Sequence, residues 1–99
     1  MRPIHTASLD RQRPVVILTR EAVGPYLGRV TVAPITRTIR GLSTEVAVGT
    51  ANGLDHDCVV NCDNIVTVPK TVVGRRIGFL LPAQEPELAE AIRSAFDPG

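Results

Sequence analysis

The chain has 99 residues, 43% of them hydrophobic and 21% charged, which is the composition of one folded domain spanning residues 1–99 and not of a disordered segment. No apolar run approaches the roughly 20 residues of a membrane span, and the first residues carry no apolar secretory core. Two cysteines, Cys58 and Cys62, cannot build a disulfide framework, so a reducing, cytoplasmic setting is expected.

The net charge is only +1, but it is unevenly placed. Residues 1–40 hold seven Arg against Asp10 and Glu21, whereas residues 41–99 hold four basic and eight acidic side chains. Lys70 is the single Lys. Planar guanidinium forks suit bidentate phosphate contact better than ammonium groups, so the N-terminal half is expected to present an anion-binding surface.

Val, Ile and Thr supply 29 residues and aromatic residues only three, a bias toward strands because stiff β-branched side chains fit a pleated surface. In chain order, Arg2–Ala7 reads as a weak first strand. Pro14–Leu18 is a continuous apolar run, as in a strand buried on both faces. Thr19–Leu27 can begin as a helical turn capped by Thr19, which Gly24-Pro25 stops. Val30–Ile35 follows, with Pro34 predicting an edge, a bulge or a bend. Thr44–Val48 alternates strictly. Asp57–Cys62, Asn64–Val68 and Arg75–Leu80 complete the strands, and Thr71–Val73 can form one helical turn. Gly41, Asn52-Gly53 and Gly74 mark further breaks. The C-terminal segment is helical: Pro86 suits a first turn, Glu85, Glu87 and Glu90 favour the positive end of the helix dipole, and Leu88, Ile92 and Ala95/Phe96 share one face. Short strands plus a terminal helix predict a mainly β fold, a small twisted antiparallel barrel.

Cys58 and Cys62 fall on one face of a strand, with His56 nearby, but no second ligand pair exists for a structural metal, so two small core residues are expected and no metal site. His5 and His56 are the candidates for a general acid and base, though nothing in the spacing brings them together. Ser8, Ser43 and Ser94 lie in no nucleophile motif, and there is no glycine-rich phosphate loop. Two segments remain. In Arg11-Gln12-Arg13-Pro14-Val15-Val16-Ile17-Leu18, Pro14 biases Arg13 toward an extended conformation at the mouth of a strand. In Val32-Ala33-Pro34-Ile35-Thr36-Arg37-Thr38-Ile39-Arg40, a buried strand ends in alternating hydroxyl and guanidinium groups. If these strands pair, Arg13 and Thr36 meet at one site.

Together these residues resemble the MazF/PemK family of toxin–antitoxin endoribonucleases. Arg-Pro-Val-Val-Ile-Leu is similar to the family's Arg-Pro and second strand, and Ala-Pro-Ile-Thr to its third. The block Asp57–Val68 and the run Arg76-Ile77-Gly78 before the terminal helix are similar to its later segments. The resemblance covers about residues 10–97. The segment from Ile4 to Arg13 is shorter than the family's and lacks its Gly and aromatic residue.

The resemblance implies an SH3-like (MazF/CcdB-type) antiparallel barrel with a C-terminal helix, acting in the cytoplasm as a homodimer with a cognate MazE-like antitoxin. It implies sequence-specific cleavage of single-stranded RNA to 2′,3′-cyclic phosphate and 5′-hydroxyl ends, without metal or other cofactor. Arg13 matches the family's catalytic Arg and Thr36 its catalytic Thr. Asn64 falls where the family often has an amide near the RNA, and Arg11, Arg37 and Arg40 are the candidates for neighbouring phosphates. The second reading is a non-enzymatic CcdB-like toxin that poisons DNA gyrase. Those relatives end in Trp-Gly-Ile, whereas this chain has no Trp and stops at Asp97-Pro98-Gly99. A peptide-binding SH3-like adaptor needs an aromatic groove, which three aromatic residues cannot line.

Overall fold

The computed structural model describes residues 1–20 and 28–97. Along it run β1 (Pro3–Ser8), β2 (Gln12–Ile17), β3 (Arg29–Thr36), β4 (Glu45–Val48), β5 (Cys58–Asn61), β6 (Val66–Pro69), β7 (Val73–Phe79) and α1 (Glu85–Phe96). The strands lie in the order β4-β5-β3-β2-β1-β7, with β6 also on β3, and every pairing is antiparallel. The mainly β class with a C-terminal helix is as expected. The strand path does not close on itself, so among the described residues the barrel is an open, bent sheet.

The bend is made by β3. Along one edge β3 pairs β2, with Val15 opposite Pro34 and Val16 opposite Ala33. On the other edge Arg29–Val32 pairs β6, and Ile35–Thr36 pairs β5. The change of partner therefore falls at Ala33-Pro34. Just past β2 the Leu18 N–H donates to the Thr31 carbonyl (2.8 Å). Antiparallel rungs alternate, so the Pro34 nitrogen faces the gap between β6 and β5, where a missing N–H costs no rung. Of the three possibilities Pro34 raises, the bend is the one found.

Strand alternation sorts the core. Val16 packs with Ile4, Ala33, Ile35, Val46, Val60 and Leu80 beneath Leu88 and Ala91 of α1. On the other face of β2, Val15 packs with Ala7, Val30 and Val32. Val15 and Val16 are both fully buried, as the continuous apolar run requires. Arg13, two residues before Val15, belongs to the face away from α1.

The helix buries Leu88 and Ala91, with Ile92 and Ala95 half-buried against the same core. Leu88 alone contributes about 1.5–3 kcal/mol of apolar burial. Phe96, expected on this face, is 67% exposed at the last residue of the helix. Pro86 sits in the first turn, where its missing N–H has no intrahelical partner. A buried amide ties the helix start to the sheet: Asn52 Nδ2 donates to the Phe79 carbonyl (2.9 Å) and to Gln84 Oε1 (2.7 Å), and Asn52 Oδ1 accepts from the Gly49 N–H (3.0 Å).

Other boundaries differ from expectation for local reasons. Thr71 lies in a single 3-10 turn, Lys70–Val72. Gly74 sits inside β7, not at a break. Asn64 is not on a strand but ends a 3-10 turn, Cys62–Asn64, whose Asp63 N–H is capped by the Asn61 side chain. The turn expected over Thr19–Leu27 lies, beyond Arg20, outside the described residues, and the Thr19 hydroxyl accepts instead from the Thr31 N–H (2.8 Å). Cys58 and Cys62 are free, buried residues of one core cluster.

Candidate active site

Continuing the β2–β3 register two residues beyond Val15–Pro34 sets Arg13 opposite Thr36. Ladder pairing stops before that point, and the two strands part around a cleft. Its floor is Pro14, Pro34 and Ile35, and its depressions measure about 390, 230 and 300 Å³. Arg13 borders all three. A proline at the switch between partner strands thus creates both the bend and the opening.

The cleft gathers the six residues that the family resemblance marked for catalysis and RNA binding. Arg11, Arg13, Thr36 and Arg37 line its larger part, while Arg40 and Asn64 join Arg11, Arg13 and Thr36 in the adjoining part. Four guanidinium groups thereby converge on one opening. Of these four, Arg13 has an ion-pair partner among the described residues: its Nη2 lies 3.2 Å from Asp10 Oδ2. Asp10 is 73% exposed and Arg13 only 20%, so the carboxylate sits in solvent and the guanidinium against the protein. Arg13 Nε is buried with no hydrogen-bond partner, which costs about 1–3 kcal/mol. The Thr36 Oγ1 accepts from the Thr38 N–H (3.1 Å), which occupies a lone pair and leaves the hydroxyl proton free to donate.

Residue type and spacing gave no signal for several other members. Gln12, Thr38 and Asn61 line the cleft with Glu45 and Asp10. Asp10 alone was detectable, as an acid three residues before the motif Arg across a turn; the turn is closed by Leu9 N–H donating to the Arg11 carbonyl (3.1 Å). The histidines do not join them. His5 lies on β1 with Nδ1 at 2.9 Å from the Gly74 carbonyl, which fixes that nitrogen as the donor, and His56 lies in the loop before β5. Neither borders the cleft, so they form no acid–base pair there. Among the described residues no group of three or more His, Cys, Asp or Glu is placed to hold a metal ion. Burial and the Asp63 charge push the Cys62 thiol up to about 11, and burial raises Cys58 against the opposing Arg37 cation, so neither is a nucleophile at neutral pH.

The family model described as PemK-like, MazF-like toxin of type II toxin-antitoxin system matches residues 3–96. The chain belongs to this family. Endoribonuclease MazF3 of Mycobacterium tuberculosis H37Rv is 63% identical over 97 residues, covering 98% of this chain and 94% of that protein. The solved structure of the Mycobacterium tuberculosis toxin MazF-mt6 matches with a TM-score of 0.96 at 62% identity, over 97% of each chain. An endoribonuclease in complex with its cognate antitoxin, from a mycobacterial species, matches with a TM-score of 0.86 at 26% identity, over 98% of this chain and 93% of that one. The MazF/PemK match contains the whole cleft, from Leu9 to Val66. No helix among the described residues is long and apolar enough to cross a membrane.

Proposed function

We propose that the chain is the toxin of a toxin–antitoxin pair, a single MazF/PemK domain that cleaves single-stranded RNA at a short sequence motif. The observation that carries this reading is the meeting of Arg13 and Thr36 across the mouth of β2 and β3, inside an arginine-lined cleft, in a chain of this family. The reaction uses the RNA's own 2′-hydroxyl: its oxygen attacks phosphorus, the bond to the 5′-oxygen breaks, and the products are a 2′,3′-cyclic phosphate and a 5′-hydroxyl. The protein supplies alignment and charge stabilisation.

Arg13 presents parallel Nη donors to the non-bridging oxygens, Thr36 adds a hydroxyl donor, and Arg13 gives the proton to the leaving 5′-oxygen. Exchanging the solvent-exposed Asp10 for a phosphate favours the guanidinium, because an exposed ion pair is worth about 0–1 kcal/mol and bidentate phosphate contact is stronger. Glu45 is engaged by backbone N–H groups, and the 2′-hydroxyl proton passes to solvent. No step calls for a metal. Arg11, Arg37 and Arg40 hold flanking phosphates, and the exposed Asn64 reads a base edge.

The relative solved with its cognate antitoxin supports the same partnership here, in the cytoplasm. An acidic segment that covers the cleft and orders on binding fits the four guanidinium groups. A homodimer accords with Ile39, Leu42 and Phe96, large apolar side chains the monomer leaves exposed. The gyrase-poisoning alternative is disfavoured, since the curated relatives are named endoribonucleases.

The test is cleavage of a mixed-sequence single-stranded RNA in EDTA, with the new ends mapped. Wild type should give 5′-hydroxyl ends at one short motif. Arg13→Ala should lose about 100-fold or more in kcat, the usual cost of one lost transition-state donor, with the fold intact by circular dichroism. An active Arg13→Ala variant, or cleavage abolished by EDTA, would overturn the mechanism.

A further inference from the structure

Glu45, the first residue of β4, borders the Asn64 side of the cleft. A carboxylate in an RNA-binding cleft is an electrostatic liability unless it is occupied. Its Oε1 accepts from the backbone N–H groups of Arg40 (3.1 Å), Gly41 (2.9 Å) and Leu42 (3.2 Å), and Oε2 lies 3.3 Å from the Arg40 N–H. Gly41 takes φ +73°, a left-handed geometry that side chains resist and that turns successive N–H groups toward one anion. The same turn is closed by the Glu45 N–H on the Leu42 carbonyl (3.1 Å) and is hung on α1 by a hydrogen bond between the Ser43 and Ser94 hydroxyls (2.5 Å).

Residues 37–40 between β3 and this turn carry Arg37, Thr38 and Arg40, and all are exposed. Apart from the Thr36–Thr38 bond, Glu45 is what fastens their far end. Arg13 and Thr36, by contrast, stand on paired strands.

We infer that Glu45 is a positioning residue. Its carboxylate latches the 40–42 turn and so holds Arg37, Thr38 and Arg40 as a preformed wall for the RNA backbone, while taking no part in proton transfer. The inference rests on the RNA-cleaving reading for its kinetic consequence, but the latch itself has an independent readout. Oε1 alone accepts all three N–H groups, so a neutral amide oxygen can replace it.

Three variants decide the point. Glu45→Ala should raise KM for a short RNA by about tenfold, as expected for losing charge-assisted hydrogen bonds that preorganise a binding wall, with kcat within about twofold. Glu45→Gln should restore most of the KM. In hydrogen exchange, which needs no RNA, the amides of Arg40, Gly41 and Leu42 should lose protection in Glu45→Ala and keep it in Glu45→Gln, with those of β2 and β3 unchanged. Glu45→Asp, one methylene short, should behave like Glu45→Ala.

Loss of kcat in Glu45→Gln equal to that in Glu45→Ala would make Glu45 a proton-transfer group and overturn the inference. Unchanged amide protection in Glu45→Ala would overturn it as well. If wild type itself cleaves no RNA, the functional reading falls, and the exchange pattern still decides the latch.

Discussion

In the proposed mechanism Arg13 and Thr36, from segments 23 positions apart in sequence, do different work. Arginine is the residue for the first position because its planar fork reaches two phosphate oxygens at once, which a lysine ammonium cannot do. Threonine serves at the second because its hydroxyl is oriented by the Thr38 N–H and keeps a proton to give. Both were singled out in the sequence, Arg13 directly before Pro14 and Thr36 two residues after Pro34, and the family resemblance supplied the roles proposed for them. Asp10 was detectable only by its spacing from Arg13, and Glu45 not at all, because its role depends on what folds against it.

Cys62 gives a test at the same scale. Its thiol ionises at about 11 in the fold against 9.0 ordinarily, so the folded state holds that proton more tightly. The resulting stability is fully present below pH 9 and declines as pH rises toward 11. Urea unfolding of wild type and Cys62→Ala at pH 8 and 11 should show the difference between them shrinking by on the order of 2 kcal/mol. An unchanged difference would mean that the thiol is not desolvated.

At the level of elements, the proline-directed bend of β3 and the close crossing of β7 over the 50–52 turn shape the sheet. Gly53 takes φ +88° at the end of the 50–52 turn, and a Cβ on Gly78 would stand 1.8 Å from the Asn52 carbonyl oxygen. Here β7 passes so close to that turn that only a glycine fits, and the backbone it meets cannot yield as a side-chain tip would. Gly78→Ala should therefore destabilise by at least about 2 kcal/mol, read as a lower urea midpoint. A shift below a quarter of that would show that the crossing can relax. The sequence marked Asn52-Gly53 as a turn, but Gly78 carried no signal of its own, because the requirement comes from a chain segment 25 residues away. The C-terminal helix was legible from its proline, its acidic first turn and Leu88. Phe96 was misplaced because periodicity gives the direction of a side chain and not what stands opposite it.

For the whole molecule, a net charge of +1 conceals a local field. Arg11, Arg13, Arg37 and Arg40 converge on one opening, while Glu85, Glu87 and Glu90 ride on α1, which packs against β4 and the 62–64 turn. Binding should therefore respond to salt as a few phosphate contacts would, despite near-neutrality. Arg37→Gln or Arg40→Gln should each lower the slope of log affinity against log salt by about 0.7, the single-strand value for one phosphate contact, measured with an uncleavable 2′-deoxy analogue. Arg75→Gln, on β7 and outside the cleft, should leave the slope unchanged. Equal effects at all three positions would mean that bulk charge, and not the cleft, attracts the RNA.

The sequence by itself determined the strand-rich class, the terminal helix, the burial of β2 on both faces and the arginine-rich segments that border the cleft. Those properties are written in local terms: side-chain stiffness, apolar runs, prolines and charge. Only the tertiary structure decided that β3 exchanges β6 for β5 at Pro34, that the strands part there to open a cleft, that Asn64 ends a turn and not a strand, and that Glu45 faces a cradle of N–H groups. Each of these depends on backbone groups from distant segments meeting at hydrogen-bond distance, and no residue carries that information alone.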